Sequence, residues 1–290
     1  MKRVHGVERV CVCEFVRLCG IMYESIKTEE TTLRFSRFNE GNVGQCYFLR
    51  TAFAFLASCG MFALVAAITS IKMGHATDAY IQGLSVLICW VAAYHYYEIV
   101  KIRHGETSVR SEMKADALRY GDWIITMPLL TLKLYAVINR PSSAYDRLFS
   151  SPEIAALASV LMVALGTFVR LGLDELSGWQ RLAATPKVAG ITAWALSCVC
   201  LILLLVDLAR AGETHPDAAI LRSFIFVWVA YPLVTFLAPV WRYMDKADTP
   251  YDTRLSIVKD ASLSCLDVYA KGAFAWYSAS KVFGVSVFAR

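Results

Sequence analysis

Ser264-Cys265-Leu266-Asp267-Val268-Tyr269-Ala270-Lys271 places an acid and an amine four residues apart inside an apolar run. Four residues is about one helical turn, so Asp267 and Lys271 share a face. An ammonium in hydrocarbon is costly, and an ionisable residue there marks a functional site by default. A buried lysine amine can lose its charge or condense with a carbonyl compound. Taken alone, the run reads more readily as a structural Asp–Lys pair. Other stretches of the chain decide between the two.

The surrounding chain is 57% hydrophobic and 18% charged, with a mean hydropathy of +0.48. That excludes an ordinary soluble domain and points to a polytopic membrane protein. One helical span needs about 20 apolar residues. Seven segments meet this: 47–72, 77–102, 113–138, 152–173, 187–210, 217–242 and 252–286. The expected fold is an all-α membrane protein, a seven-transmembrane-helix bundle over residues 46–290. Its short connections make neighbouring spans antiparallel. It is expected to be integral to the lipid bilayer and multi-pass. Residues 1–45 are expected to be an N-terminal extension without a fold of its own, or a surface amphipathic helix. The apolar bias of 7–22 is broken by Glu8, Arg9, Glu14 and Arg17, which makes a poor signal peptide.

The net charge of +5 gives no orientation. Arg140, Arg147, Arg210 and Arg222 fall at one set of span ends; Lys101, Arg103, Arg242 and Lys246 fall at the other. Basic residues so scattered make no nucleic-acid surface. There is no internal repeat and no phosphate-binding glycine loop. Cys59, Cys89, Cys198, Cys200 and Cys265 lie within spans and read as small core residues. Cys11, Cys13 and Cys19 lack the spacing and histidine partners of a zinc site, so no metal is expected.

The third span carries Arg119-Tyr120-Gly121-Asp122-Trp123-Ile124-Ile125-Thr126-Met127-Pro128-Leu129-Leu130-Thr131-Leu132-Lys133. At about 100° per residue from Arg119, Asp122 falls near 300°, Thr126 near 340° and Lys133 near 320°. All four lie in one narrow stripe. Inside a membrane such a stripe faces the bundle interior or a water-filled path. Polar stripes also glue helices together, but three ionisable groups are many for glue.

These runs resemble the microbial (type 1) rhodopsins, in particular the proteorhodopsin-like members. Arg-Tyr-x-Asp-Trp-x-x-Thr-x-Pro-Leu-Leu in the third span and Asp-Val-x-Ala-Lys in the seventh carry the likeness. Trp228-Val229-Ala230-Tyr231-Pro232, Trp194-Ala195-Leu196-Ser197, Met162 with Gly166, and Tyr94-His95-Tyr96 extend it to other spans in the right order.

The resemblance implies all-trans retinal bound covalently to Lys271 as a protonated Schiff base, with Asp122 and Asp267 as counterions. Arg119 then offsets part of the negative charge at the start of an exit path. Thr126 hydrogen-bonds Asp122, and His95 pairs with the same carboxylate. Glu98 is read as a solvated end residue. Trp123, Trp228 and Tyr231 sandwich the polyene, while Trp194 and Met162 box its ring. Tyr120, Met127, Leu130, Gly166, Ser197, Pro232 and Ala270 complete the pocket.

Two departures bear on function. Lys133 stands where many outward pumps carry a carboxylic proton donor, a task an amine can perform when desolvated. Lys259 stands where a release glutamate is found in the family's best-known pump, so release from a paired glutamate complex is not expected. The implied function is a light-driven outward proton pump rather than an enzyme. A light-gated channel or sensory photoreceptor with the same chromophore is the alternative. The chain ends soon after the seventh span, so no fused kinase or cyclase is expected. A homo-oligomer and a separate transducer are both compatible with the sequence.

Overall fold

The computed structural model describes residues 40–105, 109–138, 148–169, 185–214, 218–245 and 253–283. The N-terminal cysteine cluster and most of the expected extension lie outside them. Among the described residues there are seven helical rods. They are α1 (Glu40–Lys72), α2 (Ala76–Gly105), α3 (Val109–Ile138), α4 (Pro152–Thr167), α5 (Thr185–Thr214) and α6 (Ala218–Asp245). The seventh joins α7 (Thr253–Asp267), a π-helical turn (Val268–Ala273) and α8 (Phe274–Val282). The first rod begins at Glu40, earlier than the expected span start at 47.

Each rod packs on the next in chain order, and the seventh returns to α1, closing a ring. Short turns enforce this order. After α1, Gly74 adopts φ 76° and the His75 amide donates to the Ser70 carbonyl at 2.8 Å. A left-handed residue at a helix end is cheap only for glycine, and it turns the chain back at once. α4 begins with Ser151, whose hydroxyl accepts from the Ile154 amide, and with Pro152 in the first turn.

Stretches Cys46–Lys72, Ala76–Arg103, Met113–Ile138 and Thr192–Arg210 are long and apolar enough to cross a membrane; Pro152–Thr167 and Leu221–Thr235 are shorter apolar stretches. Large apolar side chains such as Leu157, Phe226 and Leu233 face outward. The seventh rod is less apolar because it carries Lys259, Asp260, Asp267 and Lys271, all buried. The bundle thus turns its charges inward and its hydrocarbon outward, as an integral multi-pass membrane protein must.

Arg103 corrects one expectation. Read from the sequence as a span-end charge, it is fully buried, inside the ring.

Candidate functional site

Lys271 sits in the π-helical turn, whose wider winding re-aims side chains relative to an α-helix. Its amine is ion-paired with Asp122 of α3 and lies 3.0 Å from Asp267 Oδ1. All three side chains are buried. Asp267 is further held by two phenols: Tyr96 donates to Oδ2 at 2.8 Å and Tyr231 to Oδ1 at 2.5 Å. Among the described residues, Asp122 Oδ1 accepts no hydrogen bond. One carboxylate is therefore anchored on both oxygens, and the other keeps an oxygen in reserve beside the amine.

Arg119 does not touch this pair. Its Nη1 binds Asp260 Oδ1 at 2.6 Å, and the guanidinium of Arg103 binds Asp260 Oδ2 at 2.9 Å. Asp116, one turn before Arg119, is held by Lys259 at 2.9 and 3.1 Å. These five buried groups tie α2, α3 and α7 together. A pocket beside them is lined by Asp116, Arg119, Tyr120, Trp123, Thr235, Lys259 and Leu263. Arg119 was expected to offset the counterions' charge; it faces Asp267 with Tyr96 among its neighbours, but it is docked on Asp260.

Two other expected bonds are made differently. Thr126 donates to the main-chain carbonyl of Asp122 at 2.9 Å, not to its carboxylate. His95 is half-buried and spends Nδ1 on the Val91 carbonyl at 2.8 Å. Its Nε2 faces Gly121, where an added Cβ would lie 3.7 Å away. His95 thus stands beside α3 without bonding Asp122. Glu98 pairs with Lys101 at 2.8 Å near the surface.

Several of the aromatic residues named from the sequence gather in one cluster that includes Ala270, the residue before Lys271. The Trp123 ring meets Tyr231 edge-on at 5.2 Å and Tyr120 at 5.1 Å. Trp228, Met127, Leu130 and Ala270 are buried in the same cluster, with Met162 packed against it. Ser197 donates to the Met162 carbonyl at 2.8 Å. A Cβ on Gly166 would lie 3.8 Å from Ser197 Oγ and 3.9 Å from Tyr120. Pro232 follows Tyr231 and is half-buried. Trp194 is the outlier, 42% exposed on α5.

Lys133 is 1% exposed, and its amine lies 3.8 Å above the Phe274 ring. Among the described residues no carboxylate pairs with it. It shares α3 with Asp122, about 16 Å further along the axis.

The profile of the family described as Bacteriorhodopsin-like protein matches residues 47–280. The chain belongs to the bacteriorhodopsin-like family. Members of this family are retinal-binding light-driven pumps or photoreceptors rather than classical enzymes. Archaerhodopsin-1 of Halorubrum ezzemoulense is 30% identical over 166 residues, 52% of this chain and 55% of the relative. The alignment therefore spans about half the length of that curated relative. In fold, this bacteriorhodopsin-like chain is similar to xanthorhodopsin, a light-driven ion pump with dual chromophore. That match has TM-score 0.63 and 17% identity, covering 86% of this chain and 95% of the other. It is also similar to the light-driven proton pump LR (Mac) from Leptosphaeria maculans, with TM-score 0.55 and 18% identity, covering 86% and 98%.

Several charged residues of the rhodopsin interior escaped sequence reading. Asp260 lies two turns before Asp267 on one face, and Asp116 one turn before Arg119; both signals were present. Arg103 gave none, because its position near a span end reads as solvated. Asp207, buried on α5, is hydrogen-bonded by the Tyr135 hydroxyl and by the Leu148 amide at 2.6 Å. A lone acid in the run Leu203-Leu204-Leu205-Val206-Asp207-Leu208 was the available signal.

Proposed function

We propose that this rhodopsin is a light-driven outward proton pump, with all-trans retinal bound covalently to Lys271. The carrying observation is the placement of two buried amines. Lys271 lies against Asp122 and Asp267, and Lys133 lies on the same rod as Asp122 without a carboxylate.

The residues fit the group. Among the described residues, Lys271 is the one amine set between two buried carboxylates within an aromatic-walled cluster. When bound, retinal supplies light absorption, a change of shape on absorbing a photon, and a proton-carrying nitrogen at the lysine. Trp123, Trp228 and Tyr231 exclude water and hold a flat apolar chain. Asp267, fixed by Tyr96 and Tyr231, stays in place beside Lys271. Asp122 has an oxygen free to take a proton from Lys271 Nζ. Lys133 then returns a proton from the opposite direction. Over about 16 Å, direct transfer is impossible and water must bridge.

The test is photocurrent across a membrane at zero voltage and equal pH on both sides. A pump drives unidirectional current there. A current that vanishes there and reverses with the gradient is a channel, and no current with an intact visible band is a sensor.

A further inference from the structure

We propose that Cys89 is a positioning residue of the reprotonation route, its thiol closing the gap between Lys133 and Lys271 in the dark. The inference rests on the pump reading above. Cys89 lies on α2, fully buried, and its Sγ is 3.7 Å from the main-chain carbonyl of Lys271, within range for a weak S–H donation. That carbonyl belongs to the π-helical turn and also accepts the Phe274 amide, so the thiol takes its second acceptor position. The ionisable groups facing Cys89 are Lys133, Cys59, Lys271 and Asp122. The thiol therefore sits on the main chain of Lys271, with Lys133 among the charged groups around it.

The neighbouring contacts close the same gap. Cys89 packs with Cys59 and Ala275. The next residue along the rod from Ala275, Phe274, carries the Lys133 amine on its ring face. Gly272 lets α1 approach, its position lying 3.4 Å from Cys59 Sγ if a Cβ is added. Lys133 is thus separated from Lys271 by an aromatic ring and two thiols, small groups of low polarity that hold water poorly. A bridging water must take over the Lys271 carbonyl that Cys89 occupies. The Cys89 contact has to loosen before the proton passes and re-form afterwards.

The experiment is infrared spectroscopy in the S–H stretching region, on apo and retinal-loaded protein, combined with flash recovery of the visible band. In the dark, in both forms, the Cys89 S–H band lies at the frequency of a bonded thiol and is missing from Cys89→Ser. After a flash it shifts to that of a free thiol and returns as the visible band recovers. Cys89→Ala leaves that acceptor position to water and speeds recovery about twofold, the rate equivalent of a hydrogen bond at the weak end of the usual range. Cys89→Ser keeps a donor and stays near the parent rate, which also controls for folding. A Cys89 band that does not respond to light, or a Cys89→Ala recovery as slow as or slower than the parent, overturns the proposal. A protein with the light-dependent band and fast Cys89→Ala but no outward current overturns the pump reading and leaves Cys89 in place.

Discussion

Lys271 is where one side chain governs the most. Removing its amine leaves Asp122 and Asp267 buried without their cation, and breaking a buried pair costs about 3–5 kcal/mol. Lys271→Ala is therefore expected to lose the visible band formed with retinal and to melt earlier in the apo form. If Lys133→Ala lost the colour instead, Lys271 is the wrong amine. Asp122→Asn removes a negative charge beside the lysine nitrogen, where the ground state holds its positive charge more tightly than the excited state does. The band should move to the red, and acid titration of the parent should move it the same way; a spectrum indifferent to both excludes Asp122. Leu130 is buried in the aromatic cluster. Leu130→Gln puts a dipole beside the polyene, and absorption spectra should show a shift from green toward blue. These three residues were legible in the sequence because a charge in an apolar run, or a motif around it, is conspicuous. Their partners were not. A helix wheel tells which face Asp260 or Arg103 occupies, but not that both meet across α2, α3 and α7.

Within single rods, spacing carried most of the information. The polar stripe of α3 emerges as read, with Arg119, Asp122, Thr126 and Lys133 all buried. The π-helical turn was not legible, because nothing in Val268–Ala273 departs from ordinary helical spacing. α1 presses on Gly272 so closely that an added Cβ would lie 2.6 Å from the Phe55 ring. Gly272→Val should overpack this contact at a cost of about 1–3 kcal/mol. Thermal bleaching of the visible band measures it, and an unchanged midpoint would show that α1 can retreat. On α3, Lys133→Ala should leave the dark spectrum almost unmoved, since the amine is far from the polyene's carboxylates. It should slow flash recovery by about 100-fold, a usual general-acid contribution. Azide, a diffusible proton carrier, should restore part of the rate. Recovery as fast as the parent's would remove Lys133 from the pathway.

Across the whole molecule, the seven-rod ring and its inward charges follow from hydropathy alone, whereas the pairing of those charges needs three dimensions. Among the described residues, the buried basic side chains Arg103, Arg119, Lys133, Lys259 and Lys271 are matched in number by buried carboxyls: Asp116, Asp122, Asp207, Asp260 and Asp267. Equal numbers of buried acids and bases are how so many ionisable groups survive in a membrane. On the Arg119 side the balance is local. Asp116 has both oxygens on Lys259, and Asp260 one oxygen on each of two arginines. Both acids have a cation on each oxygen, and the expected outcome is that neither releases a proton when Asp122 receives one. The order of events at the two surfaces follows. In detergent solution, where both faces share one bath, a pH-sensitive dye should register an alkaline pulse first, as Lys133 is refilled. Acid should return only as Asp122 empties at the end of the turnover.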